Sequence, residues 1–214
     1  MILQANEFMA LSALTHRLPP TSSRPFIRVD ACAQGPDAFV GGWFGTLEQR
    51  RAFHVSFFMF RIDAQAFLSV VDAESDAHQL QRFISCFEAL AIAVAVALFS
   101  PLLGDLDCIF PSESDSIVAC FGSRRWYSPS AALQWALRVL AETSVFSRVR
   151  PLVTHVPGKK NALADAISRY CLEIASANDS QIVRMCQAFD PAKRLIKFPD
   201  AIAHLFSMLS SPPI

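Results

Sequence analysis

The sequence predicts a mixed α/β fold, in which a β-meander leads into alternating strands and helices. Three observations predict it. Three strand-like runs fill residues 25–62, separated by turn residues. An apolar repeat of helical period follows over residues 77–99. Two short strand candidates then alternate with helical stretches as far as residue 175. The resulting order, β-β-β-α-β-α-α-β-α, describes a five-stranded mixed sheet with helices packed on it.

The first strand is expected over Pro25–Ala31 and the second over Phe39–Phe44, where Gly41 and Gly42 interrupt it. Gln34, Gly35, Pro36 and Asp37 form the turn between them. The third, rich in Phe and Val, covers Phe53–Ile62. From Ala77 to Phe99, Leu80, Phe83, Ile84, Phe87, Leu90, Ala91 and Val94 recur at three- and four-residue steps, and Pro101 and Gly104 stop the helix. Its apolar stretch from Leu90 to Phe99 is shorter than the roughly 20 residues that span a bilayer. It reads as a buried core helix, and no membrane partner is expected.

A short strand is expected over Leu106–Phe110 and a short helix over Ser116–Gly122. A second helix over Ser130–Thr143 is opened by a Ser-Pro-Ser sequence able to cap it. Val149–Val156 is β-like and Asn161–Ala175 helical. The organisation is an N-terminal segment (1–23) that ends in a Pro/Ser-rich loop, a main domain (24–172) and a helical C-terminal extension (173–214). In that extension, Asp200–Leu209 is apolar enough to pack on the domain.

Hydrophobic residues make up 52% of the 214, and charged residues 18%. This composition excludes a disordered chain. Nineteen basic residues balance nineteen acidic ones, so any grip on nucleic acid must come from a local patch or from a neighbouring domain. The six cysteines (Cys32, Cys86, Cys108, Cys120, Cys171 and Cys186) show no C-x-x-C pair and no zinc spacing. They read as reduced thiols of a cytoplasmic or nuclear protein. His54, His78 and His204 show no metal spacing either.

Four carboxylates stand out by context. Asp30 lies inside an apolar strand, where an acid must face solvent, be paired or bind a metal, because a bare buried charge is costly. Glu88 lies in the apolar helix, Asp115 at the head of the helix after the fourth strand, and Asp165 in the last helix. Each has an ordinary explanation alone: an edge-strand residue, a solvated helix stripe, an N-cap and a surface helix residue, respectively. Their placement on successive strands and helices is less easily explained that way.

The segment His155-Val156-Pro157-Gly158-Lys159-Lys160-Asn161-Ala162-Leu163-Ala164-Asp165-Ala166-Ile167-Ser168-Arg169 resembles the end of the ribonuclease H domain in retroelement polyproteins, H-[IV]-P-G-K-x-N-x-x-A-D-x-[IL]-S-R. Val29-Asp30-Ala31-Cys32-Ala33-Gln34-Gly35 with Gly41-Gly42-Trp43 resembles that family's first catalytic strand and the glycine-rich strand after it. Phe87-Glu88-Ala89-Leu90-Ala91 resembles its catalytic-glutamate helix, and Ser114-Asp115-Ser116-Ile117-Val118-Ala119 its T-D-N-x-x-A element. The resemblance covers roughly residues 24–172. It points to elements of the gypsy type or those with a tyrosine recombinase.

The resemblance implies a ribonuclease H-like fold that cuts the RNA strand of an RNA–DNA hybrid, beside a reverse transcriptase polymerase domain. It also implies that Asp30, Glu88, Asp115 and Asp165 hold two Mg²⁺ ions, with Mn²⁺ able to substitute. One ion would activate water and the other would stabilise the leaving 3′ oxygen. Ser114 stands where the family usually has Thr, and Ser116 where it has an Asn that helps to orient substrate, so the resemblance implies a weaker grip on the hybrid. Substrate contacts are expected from Ser116, from the charged and aromatic cluster Arg124, Arg125, Trp126 and Tyr127, and from Lys159, Lys160 and Asn161. The ordinary alternatives for the last two groups are a solvated turn and a polar helix start. The competing reading of the whole chain is a non-catalytic module or a decayed element that keeps the fold.

Overall fold

The computed structural model describes residues 24–51, 55–71, 77–102, 107–173 and 200–210. The meander is present. Strands β1 (Phe26–Gln34), β2 (Asp37–Gly45) and β3 (Ser56–Ile62) pair antiparallel in sequence, with a short helix α1 (Leu47–Arg51) between the last two. β1 and β2 meet in a two-residue turn at which Gly35 takes a φ of 59°, a state open to glycine without steric cost. Phe53 and His54 of the expected third strand lie outside the described residues.

Helix α2 (Ala64–Val70), not expected from the pattern, starts where the Asp63 carboxylate accepts the Ala66 amide at 3.0 Å. A 3₁₀ segment (Ala77–Phe83) with a kink at Gln79 then leads into α3 (Ile84–Phe99), so the single helix expected over 77–99 is two pieces. From Cys86 to Phe99 every residue of α3 is buried, as in a helix apolar all round. The helical run Gln79–Leu102 extends on both sides of the apolar stretch Leu90–Phe99. At 24 residues and a mean hydropathy of 2.2 it has the length and composition to cross a bilayer, yet 78% of its apolar window is buried inside the fold.

β4 (Cys108–Ser114) runs on past Phe110, alternating buried Phe110, Ser112 and Ser114 with outward Ile109 and Pro111. Two helices follow, α4 (Ile117–Arg125) and α5 (Ala131–Ser147), N-capped by Ser116 and Ser130. β5 (Val149–His155) and α6 (Ala162–Glu173) complete the expected order. The sheet has six strands rather than five, in the order β5-β4-β1-β2-β3-β6, with β1, β4 and β5 parallel. The sixth comes from the C-terminal extension. A short helix α7 (Asp200–Ala203) and a 3₁₀ turn lead to β6 (Leu209–Ser210), which pairs with β3. The described part of the extension is therefore a strand as well as helix. Ile202, Phe206 and Met208 insert into the main core, which explains the apolar pattern of that stretch.

The period-two alternation of the strands divides the molecule into layers. Ile27, Val29, Val40, Phe58 and Phe60 lie in the main core, where α3 packs on β1 and β2. Trp43, on the opposite face, packs against Ala164 and Ile167 of α6. A Cβ on Gly41 would lie 2.8 Å from the Ser168 amide nitrogen. The glycine that interrupts β2 thus lets α6 rest directly on the strand backbone. Cys32, Cys86, Cys108 and Cys120 are free thiols; the side chains of Cys171 and Cys186 lie outside the described residues.

Candidate active site

β1 and β4 pair over only two residue pairs, Ile27–Ser112 and Arg28–Glu113, although both strands run on. The site forms where that pairing ends. An ion pair between Arg28 and Glu113 at 2.5 Å ties the strands together just before the gap. The Arg28 guanidinium lies against the rings of Phe26 and Trp43 and donates to the Lys160 carbonyl at 2.6 Å. Beyond it, the Ala31 amide donates to Glu88 Oε1 at 3.0 Å, and the Ser114 hydroxyl donates to Glu88 Oε2 at 2.9 Å. The core helix thus supplies a carboxylate to groups on the two strands beyond the last pair.

Asp30 on β1, Glu88 on α3 and Asp115 after β4 each offer a carboxylate oxygen within 4.8 Å of the others. Asp30 and Glu88 are each 4% exposed. Asp165 lines the same cavity, of about 300 Å³, with Gln81 and Arg169. It stands outside the tight trio, its Oδ1 held by Arg169 Nε at 2.5 Å one helical turn on. A Cβ on Gly158 would lie 3.2 Å from Asp115 Oδ2, so the turn after β5 closes on the third acid.

Burial pushes the Asp30 carboxyl up to about 7; the Ser168 hydroxyl opposes this, while Asp115 and Asp165 add to it by repulsion. Burial, followed by the charge of Asp30, raises Glu88 well above the ordinary glutamate range. Acids that resist ionisation when brought together gain from a cation placed among them. Clustered carboxylate oxygens are the donor set that Mg²⁺ and Mn²⁺ prefer. Asp30, Glu88 and Asp115 are the residues that could hold such an ion, with Asp165 beside them. A bound ion would polarise a phosphoryl oxygen and activate water.

The other expected residues divide by position. Ser116 is half-buried, and its hydroxyl accepts the Ala119 amide as the α4 N-cap. Arg124 donates from Nε to the Val153 carbonyl at 3.1 Å, and Arg125 lies against Phe121. Trp126 takes a left-handed backbone at the end of α4 and packs against the main core. It sits roughly 15 Å along the helix from Ser116, at about 1.5 Å per residue. Lys159 and Lys160 are exposed on the 3₁₀ turn. Asn161 is fully buried, its Nδ2 donating to the Val29 carbonyl at 3.0 Å. It pins α6 to the strand that carries Asp30.

Sequence reasoning gave no supporting role to three residues, Ser114, Ser168 and Arg169, although the last two match the S-R that ends the family pattern. Ser168 is fully buried, and its hydroxyl donates to Asp30 Oδ2 at 2.5 Å.

No protein-family model and no curated protein matches the sequence. Solved structures are similar in fold. The ribonuclease H1 LC11, obtained from compost and solved with an RNA/DNA hybrid, is similar with a TM-score of 0.53 at 16% identity, over 72% of this chain and 100% of its own. Ribonuclease H1 of Halobacterium salinarum has a TM-score of 0.48 at 16% identity, over 70% and 98%. The N-terminal ribonuclease H domain of a Mycobacterium tuberculosis protein has 0.48 at 17%, over 78% and 99%. The similarity to LC11 ribonuclease H1, with the mixed six-stranded sheet and the helices packed on it, gives this chain a ribonuclease H-like fold.

Proposed function

We propose that this chain is a divalent-metal-dependent endonuclease that hydrolyses the RNA strand of RNA–DNA hybrids. The observation that carries this reading is the trio Asp30, Glu88 and Asp115, gathered from three elements to within 4.8 Å where β1 and β4 stop pairing. Two buried acids and a half-buried third, with Arg169 as the cation that lines their cavity, resist ionising together, and such an arrangement makes sense as a binding place for cations. The hybrid held by LC11 ribonuclease H1 supports a hybrid as ligand for the same fold here.

In this reading Asp30, Glu88, Asp115 and Asp165 hold Mg²⁺ or Mn²⁺, two ions in all. The exposed Lys159 and Lys160 meet the phosphate backbone. The His155–Arg169 segment supports a retroelement setting, in which the domain works beside a reverse transcriptase polymerase domain in the cytoplasm or nucleus.

A non-catalytic reading has one observation in its favour. Asp165 is tied to Arg169 and stands apart from the trio. A labelled RNA–DNA hybrid, incubated with Mg²⁺ or Mn²⁺ beside single-stranded RNA and duplex DNA, separates the two. Cutting confined to the RNA of the hybrid is expected. A folded sample that cuts nothing with either metal points to the non-catalytic module.

A further inference from the structure

Asp30 is held from behind by α6. The Ser168 hydroxyl lies 2.5 Å from Asp30 Oδ2 and 2.9 Å from the Asp165 carbonyl in its own helix. A hydroxyl has one proton to donate. A carboxylate is the stronger acceptor, and 2.5 Å is the length of a charge-assisted O–H···O⁻ bond.

Ser168 is itself fixed on three sides. It is fully buried. Its amide abuts Gly41 of β2, where a Cβ would lie 2.8 Å away. Its carbonyl accepts the Cys32 thiol of β1 at 2.9 Å. The hydroxyl therefore projects from a point that cannot shift without moving the helix. That helix carries Asp165 one turn before Ser168.

We propose that Ser168 is a positioning residue, which orients the Asp30 carboxylate and sets the spacing between the β1 acid and the α6 acid for divalent-ion binding. This rests on the metal-dependent reading of the site. Groups that orient a metal ligand commonly alter ion affinity by about 10–100-fold when removed. Ser168→Ala removes the hydroxyl and leaves a strong helix former in place.

The test is Mn²⁺ affinity, measured by electron paramagnetic resonance on the whole chain without nucleic acid, together with the Mg²⁺ dependence of hybrid cleavage. Ile167→Val is the control. It loosens the packing of the same helix turn on the sheet without touching an acid. Ser168→Ala is expected to bind Mn²⁺ about 10-fold more weakly and to need correspondingly more Mg²⁺ for half-maximal cleavage. At saturating ion its rate should approach that of the wild type, and Ile167→Val should keep wild-type affinity. If Ser168→Ala binds Mn²⁺ as the wild type does, or Ile167→Val weakens it equally, the positioning role is overturned while the metal site stands. Wild-type protein that binds no Mn²⁺ removes the metal-dependent reading, and the role of Ser168 with it.

Discussion

The Ser114 hydroxyl donates to Glu88 Oε2 at 2.9 Å and accepts the Ser116 amide at 3.1 Å. A side chain from the end of β4 thus joins the carboxylate of the core helix to the start of α4. Glu88 is bound into the fold through both oxygens, since the other accepts the Ala31 amide. Glu88→Gln preserves most of this. The amide oxygen can still accept from Ala31, and the Ser114 hydroxyl can turn to accept from the amide nitrogen. The variant is expected to stay folded and to melt no lower than the wild type at neutral pH, because it removes an acid whose ionised form burial disfavours. Hybrid cleavage should fall by at least about 100-fold, the upper end of what removal of a merely supporting group costs. A thermal melt and a cleavage assay on one preparation check both halves. Wild-type cleavage by the folded variant would sink the assignment of Glu88.

The raised carboxyls of Asp30 and Glu88 make a stability prediction with a definite sign. In the unfolded chain these groups lose their protons near the ordinary value of about 4, whereas folded Asp30 keeps its proton up to about 7. Between those values the folded state binds more protons, so metal-free protein loses stability as pH rises, by up to about 1.4 kcal/mol per pH unit for each such group. Melts in EDTA at pH 5 and pH 8 should show the loss, and Asp30→Asn should reduce it. Added Mg²⁺ should raise the melting temperature more at pH 8, where the acids are ionised, than at pH 5. Equal metal-free stability at the two pH values would contradict the burial of these acids as charged-site groups.

Much of this was legible in the sequence because period carries fold. The meander, the apolar helix from Leu80 onward and the later alternation of strands and helices all announce themselves through spacing. Asp30 and Glu88 stood out because a charge in an apolar strand or helix needs an explanation, and Asp115 by its place at the head of the helix after the fourth strand. What stayed hidden depends on contacts between distant residues. β4 continues through Pro111, Ser112 and Glu113 because its serines face inward, and serine carries no strand signal. β6 is two residues long and exists only by pairing with β3. Ser168 lies 138 positions from Asp30, and their contact follows from how α6 rests on β2. Asn161 was expected to contact the hybrid beside two lysines; its side chain is instead buried, donating to the Val29 carbonyl where α6 begins against β1.

That resting contact is itself testable at Gly41. An added Cβ would meet the Ser168 amide nitrogen at 2.8 Å and Ile167 Cγ2 at 2.9 Å. The first is backbone and cannot turn aside, so α6 must move off the sheet. Gly41→Ala is expected to cost about 1–3 kcal/mol, as overpacking does. It should also weaken hybrid cleavage further at limiting Mg²⁺ than at saturating Mg²⁺, because Asp165 rides on the displaced helix. Gly35→Ala serves as comparison. It meets nothing within 4 Å and strains only an exposed turn. It should lose some stability through its φ of 59° and leave the Mg²⁺ dependence alone. A chemical denaturation series and a metal titration on the two variants discriminate the cases. Matching metal dependence would show that the α6 contact does not govern the acids.

The turn between β5 and α6 places two kinds of residue side by side, and they should fail in opposite ways. Lys159 and Lys160 project into solvent, so replacing both with alanine should leave stability within about 0.5 kcal/mol. If they meet phosphates of the hybrid, the loss appears in binding. The slope of log affinity against log salt should flatten by about one for each lysine that makes such a contact. Asn161 should behave the other way. Asn161→Ala removes the donor that satisfies the Val29 carbonyl inside the core, at a cost of about 1–3 kcal/mol, while the salt slope should stay as it was. Any loss of hybrid affinity in Asn161→Ala would then come from α6 slipping along β1, and would be matched by weaker Mn²⁺ binding. Binding curves at several salt concentrations, taken beside thermal melts, read both quantities. If the double lysine variant keeps the wild-type salt slope, the hybrid does not run over this turn, and the basic residues at the end of α4 become the next place to look for its backbone.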